Sequence, residues 1–418
     1  MVRRLVFLAA VVLGVLWTSG VAPAAGQGAG GQGAGGQGAS RLTRFTSRSF
    51  EVFTDLPAAE ARPIAGHMDA VFAEYVKRFA DYPAKNSRAV KLYVFETRAG
   101  YVAGLREMGV NATNTAGVFF SSEQDAGLAT FVEDQSSVEM FHVLQHEGFH
   151  QFAQMRMGSG LPQWANEGLA EYFGQSILVK GDLKMGLAPE QRIQAMALAV
   201  KTKTSWPFEK LLNMSNKEWN DNVRTGDARA GMMYDQSWTI VHFLVEGAGG
   251  KYRSAFVDYI KLTSQGMQGA QAFERAFKLK DVREFEDAWK RYILQEMRPD
   301  GVSTALERMQ FLAVGAWSLF EEGVMVESMG DLKKEMQARQ MTYTIVREGV
   351  KRVMSSKEDS MFDAPPRDEA ERPTSMEVVA AGNMGAPAGL RVKGLKVGMR
   401  LVWDVRPGRP PRPRVEFE

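Results

Sequence analysis

Residues 136–173 read SSVEMFHVLQHEGFHQFAQMRMGSGLPQWANEGLAEYF, and the chain is organised around them. Ser136 and Glu139 form the S-x-x-E pair that caps a helix N-terminus, each side chain serving the other's backbone N–H. Gly158 stands where such a helix has to stop. Inside it lies His146-Glu147-Gly148-Phe149-His150, an HExxH pattern. Four residues along a helix are one turn plus about 40°. The imidazoles of His146 and His150 therefore share a face, with β-carbons about 5–6 Å apart. From there both can reach one zinc ion at about 2.0–2.1 Å. Glu147 lies about 100° round from His146. It flanks the metal without ligating it, where a general base for a zinc-bound water belongs. The competing reading is a core helix that happens to carry histidines.

A second helix is expected from about Pro162 to Phe173, folded back after Gly158 and Gly160. A catalytic zinc needs a third protein ligand and an open fourth position, and Glu167 is placed to supply the ligand. Glu171 shares its face one helical step on. Two acids beside Trp164, Leu169 and Phe173 are costly in a core unless something pairs with them. Zinc for Glu167 and a histidine N–H for Glu171 would do so. Two solvated glutamates on an exposed face are the alternative.

HExxH on one helix and Asn166-Glu167-Gly168-Leu169-Ala170-Glu171 on the next resemble the gluzincin metallopeptidases. The order Trp164-Ala165-Asn166-Glu167-Gly168 is especially similar to their aminopeptidase branch. It also looks like a group of uncharacterised secreted bacterial proteins with a peptidase-like domain. The resemblance covers about residues 50–298. It implies a thermolysin-like α+β catalytic domain with one zinc per chain held by His146, His150 and Glu167. It also implies Glu147 as the base and Glu171 as the carboxylate behind a ligand imidazole. Tyr234, at the start of a helix running to about Glu246, is implied as the donor to the oxyanion; packing is its other reading. His242 is a second oxyanion candidate or a buried histidine. His142, one turn before His146, lines the cleft or the core. His67 has no evident partner. The glycine-rich segment with which the family's aminopeptidases hold a free amine is absent. Residues 117–134 stand in its place, with Leu128 to Val132 expected as an edge strand that takes a peptide by β-addition.

The 418 residues are 45% hydrophobic and 24% charged with no Cys, which suits a sizeable core and excludes a disordered chain, a collagen or a disulfide scaffold. Fifty-one basic and 49 acidic residues leave a net charge of +2, with no electrostatic footprint for nucleic acid. Residues 1–24 read as a signal peptide: Arg3 and Arg4, an apolar run from Leu5 to Trp17, then Ala22-Pro23-Ala24. That run is short of the roughly 20 residues a membrane span needs, although an uncleaved anchor is the alternative. The mature chain is expected outside the cytoplasm, beginning near Ala25, with no transmembrane segment.

Residues 26–39 repeat Gly, Gln and Ala, and residues 25–48 read as a flexible tether. Residues 49–298 form the peptidase-like domain, strand-rich and then helical. Residues 299–356 read as a helical extension and 357–373 as a charged, Pro-rich linker. Residues 374–418 read as a small β-like segment, with RPGRPPRPR (406–414) as a solvated basic tail. The expected function is an exported zinc-dependent peptidase acting on a peptide or protein. The alternative is an inactive peptidase-like binding or structural module of the cell envelope, with zinc stabilising its fold.

Overall fold

The computed structural model describes residues 9–11, 42–82, 90–113, 115–121, 126–133, 135–224, 228–347, 350–368, 372–379, 385–406 and 409–418. Most of the expected signal peptide and tether lie outside the described residues.

The first half builds one sheet from β1 (Ala9–Val11), β2 (Thr43–Thr46), β3 (Phe50–Thr54), β4 (Val90–Phe95), β5 (Gly117–Ser121) and β6 (Ala126–Phe131), with helices α1 (Ala58–Arg78) and α2 (Arg98–Glu107) between them. The order is β1-β5-β6-β4-β3-β2. The inner strands β3, β4 and β6 run parallel, and the remaining pairings are antiparallel. Parallel strands need crossovers that cover the sheet, and both faces are covered. Phe50, Val52 and Leu92 meet Ile64 and Met68 of α1 on one side. Tyr93 and Phe95 meet Tyr101 and Leu105 of α2 on the other. Leu128 to Val132 was expected at an edge. Instead β6 is interior, hydrogen-bonded to β4 and to β5. Leu128 and Ala129 are both buried, so neither face of this strand is free.

The second half is helical: α3 (Ser137–Arg156), α4 (Gln163–Gly174), α5 (Glu190–Lys201), α6 (Phe208–Leu212), α7 (Asn216–Arg224), α8 (Ala228–Glu246), α9 (Arg253–Ser264), α10 (Gly269–Phe277) and α11 (Val282–Arg291), with a small hairpin of β7 (Ile177–Val179) and β8 (Asp182–Lys184) after α4. The chain is α+β, as the sequence predicts. Both halves of the Ser136–Glu139 capping box form, and the chain turns out of α3 at Gly158 with φ +66°. Gly168 lets α4 lie directly on α8, since a β-carbon there would stand 2.5 Å from the Ser237 carbonyl oxygen. The helical run is interrupted at Gly247–Gly250 and at Gly266, where Gly249, Gly250 and Gly266 take positive φ. Among the described residues, no helix is long and apolar enough to cross a membrane.

The last third departs most from the sequence reading. It holds α12 (Gly301–Glu321), α13 (Met329–Ala338), a hairpin of β9 (Thr342–Arg347) and β10 (Val350–Ser355), and an antiparallel sheet of β11 (Ser375–Val379), β12 (Gly389–Lys393), β13 (Met399–Arg406) and β14 (Arg409–Phe417). The helical extension therefore ends at Ala338, because the β-branched Thr342-Tyr343-Thr344-Ile345-Val346 favours a strand. The expected linker is pinned: Met361 and Phe362 are buried, and the Asp368 carboxylate accepts the N–H groups of Gly301 and Lys396 at 3.0 and 3.1 Å. The basic tail is β14 rather than solvated chain. It is the outer strand of its sheet, the position that tolerates proline's missing N–H. Its Arg412 donates to the Gln135 carbonyl oxygen at 3.0 Å, and the Val415 N–H to Ser137 Oγ at 3.4 Å, so the chain's end braces the start of α3. Ile177 and Val179 of the hairpin after α4 belong to this module's core, beside Met309, Leu390 and Met399.

Candidate metal centre

α3 and α4 bring His146, His150 and Glu167 together. The His146 Nε2–His150 Nε2 distance is 3.0 Å, and Glu167 Oε2 lies 3.5 and 3.4 Å from those nitrogens. Bonds of about 2.0–2.1 Å at tetrahedral angles require ligand atoms about 3.3 Å apart, so the triangle matches the size of a zinc coordination face. All three side chains are buried, at 1%, 4% and 3% exposure. Burial pushes the Glu167 carboxyl up, but His150 and His146 outweigh it and hold its pKa at about 2. Glu167 Oε1 accepts from the Gln163 amide at 2.8 Å, which leaves Oε2 turned to the histidines.

Glu171 sits behind His146, its Oε1 3.1 Å from Nδ1. Donation from Nδ1–H fixes the tautomer and leaves the Nε2 lone pair toward His150 and Glu167. Lone pairs and a carboxylate oxygen converging in this way repel unless a cation sits among them, a metal ion or, in its absence, the proton that lets the histidines lower the Glu167 pKa. Glu171 also takes the Arg192 guanidinium; Arg192 Nε donates to Asp235 at 2.7 Å, and Arg352 of β10 closes the row on Asp235 at 2.6 Å. Burial tends to raise the Glu171 carboxyl, yet Arg192 and His146 hold it well below the usual range. The guanidinium groups of Arg192 and Arg352 pair with Glu171 and Asp235, which leaves Glu167 on the triangle with no side-chain cation of its own among the described residues except the histidines. The residues present fit a metal ion.

Glu147, 1% exposed, is off the triangle as the helix geometry predicts. Its Oε2 accepts the Phe119 N–H of β5 at 2.7 Å, while Oε1 has no hydrogen-bond partner among the described residues. Burial pushes this carboxyl above the usual range, against the pull of His150 and His146.

Of the other candidates, His142 stands with His146 and Glu171 in a second buried group whose ligand atoms lie within 4.8 Å of one another, and Tyr234, His242 and His67 lie outside both groups. Tyr234 is buried on α8 with its ring edge-on to Trp219 at 5.3 Å. His242 donates Nε2–H to the Gly186 carbonyl oxygen at 3.1 Å, so its Nδ1, 2.8 Å from the Tyr292 hydroxyl, is the acceptor there. With both nitrogens engaged, His242 is a core histidine. His142 packs against Gly174, where a β-carbon would stand 3.1 Å from its ring. His67 does have partners: Gln145 Oε1 at 2.8 Å and the Phe141 ring, stacked at 3.7 Å. Sequence reasoning missed Gln145, fully buried, whose amide donates to the carbonyls of Phe173, Gly174 and Ser176 and so fixes the end of α4 to α3. It missed Arg192 too, whose only signal was a cation on the face that also buries Met196 and Ala199.

Fold and site thus define an α+β protein with a buried His/Glu group able to hold a metal ion. Residues 141–267, from HExxH into α9 and the turn after it, match a family described as "Protein of unknown function (DUF1570)". No curated protein matches the chain.

Proposed function

We propose that this is an exported zinc-dependent peptidase. The reading rests on the His146–His150–Glu167 triangle, whose edges suit zinc, beside a glutamate with one oxygen anchored and one free. Zinc at that position supplies a Lewis acid and a water acidified to a pKa of about 7. Glu147 is the base: the Phe119 N–H fixes Oε2, and Oε1 is the atom that takes a proton and returns it to the leaving amine. Glu171, held by Arg192, keeps the His146 tautomer fit for ligation. Tyr234 is the proposed oxyanion donor, on the strength of the resemblance alone. A peptide substrate would add to β5, which carries Phe119 and, among the described residues, borders Ala9–Val11 on its outer side. Signal-peptide cleavage near Ala25 removes Ala9–Val11 from that edge.

One observation favours the alternative of a structural zinc in an inactive module: His146, Glu147, His150 and Glu167 are each at most 4% exposed. Glu147→Gln separates the two. A peptidase loses at least about 10²-fold in peptide hydrolysis, the lower end for general-base catalysis, and keeps its zinc. Wild-type protein that holds zinc but cleaves no member of a mixed peptide library, free or N-acetylated, would leave only the structural role.

A further inference from the structure

Between the metal centre and the C-terminal module lies a cavity of about 300 Å³, at the lower end of the range for small-ligand sites. It is separate from the ligand triangle, since His146, His150 and Glu167 do not line it. It adjoins the side of His146 that faces Glu171: His142, whose ring lies 6.4 Å from that of His146, is on the wall, as is Arg192.

The charge on this wall is lopsided. Three arginines line it, Arg192, Arg352 and Arg414. Their carboxylate partners Glu171, Asp235, Asp404 and Glu416 do not, and so neutralise them from behind. Glu307 is the single carboxylate on the wall among the described residues. Two lining side chains also carry buried donors with no acceptor among the described residues: the Gln310 amide nitrogen, on a residue 8% exposed, and Arg352 Nε. Native proteins rarely leave buried donors unpaired, and an absent ligand is one reason they do. Most of the remaining wall is apolar and includes Phe141, Leu178, Leu306, Met354 and Phe417.

We propose that this cavity binds a small molecule carrying one carboxylate on an apolar body. The carboxylate takes the guanidinium of Arg352 and the amide of Gln310, and the body lies among Phe141, Leu306 and Phe417. Arg414, the exposed member of the three arginines, stands at the solvent side, its guanidinium paired with Asp404 and Glu416. A monoanion suits the wall better than a phosphate dianion, because Glu307 opposes the second charge. Nothing in the proposal depends on which metal is bound or on hydrolysis.

The test is calorimetric titration of the full chain with 4-phenylbutyrate and octanoate, each beside its primary amide. At least one acid is expected to bind with a Kd below about 1 mM. Its amide should bind at least about tenfold more weakly, the scale of a charge-assisted contact to a guanidinium. Leu306→Trp fills the cavity and should abolish binding. Gln310→Leu keeps the volume and removes the donor, and should weaken the acid while sparing the amide; it serves if the tryptophan variant fails to fold. Acid and amide binding equally, neither acid binding, or binding undiminished in the cavity-filled protein would each overturn the proposal.

Discussion

At Glu167 two opposing effects meet, and their balance makes a prediction. Burial alone would keep its carboxyl protonated, but the two histidines beside it lower its pKa to about 2. Its folded pKa lies below its unfolded one, so it contributes stability at pH above the unfolded value of about 4.3, and that contribution is lost as pH falls toward 2. Metal-free protein should therefore unfold at progressively lower temperature as pH drops below about 4.5, and Glu167→Gln should flatten that slope. An unchanged slope in the variant would place the acid sensitivity elsewhere. Glu167→Ala should also empty the metal site, which elemental analysis would read as a loss of zinc from about one equivalent per chain. The placement of His146, His150, Glu147 and Glu171 was legible because helical periodicity fixes which side chains share a face. Arg192, Asp235 and Arg352 as one row of charges were not. Asp235 and Arg352 are 117 residues apart, and no periodicity spans that distance.

At the level of elements, α3 and α4 were legible because their ends carry explicit signals, a capping box and a left-handed glycine. The second helix of the sheet half, α2, was missed, since it buries only Tyr101 and Leu105 and its apolar stripe is too thin to read. The position of β6 was misjudged for a different reason: a strand's pattern shows how much of it is buried, and its neighbours are set by the crossovers. The tail β14 was masked by its own prolines. Gly168 gives the element-scale prediction. Because a β-carbon there would press on the Ser237 backbone, Gly168→Ala must push α4 off α8. The expected cost is about 1–3 kcal/mol, as for overpacking elsewhere, read as a lowered denaturation midpoint with unchanged m. Zinc affinity should fall with it, since Glu167 rides on the displaced helix. A midpoint equal to the wild type would mean that the contact relaxes without penalty.

Across the whole molecule, the boundary expected at residue 298 does not divide independent parts. Tyr343 donates to Glu139 of the α3 capping box at 2.7 Å, Arg352 holds Asp235, and Ile177 and Val179 are buried in the C-terminal core. A chain ending at residue 298 should therefore expose Ile177 and Val179 and leave Asp235 with one cation fewer. Its melting temperature should fall well below that of the full chain, and it should retain less zinc after dialysis. A truncated chain with full thermal stability and full zinc would show that the contacts are incidental. The same row of charges bears on biosynthesis. The neutralising cation furthest from His146 is made 117 residues after the aspartate it neutralises, so a ribosome-bound chain has ligands before it has their balance. A metal ion can be fully caged there only once the whole chain has folded.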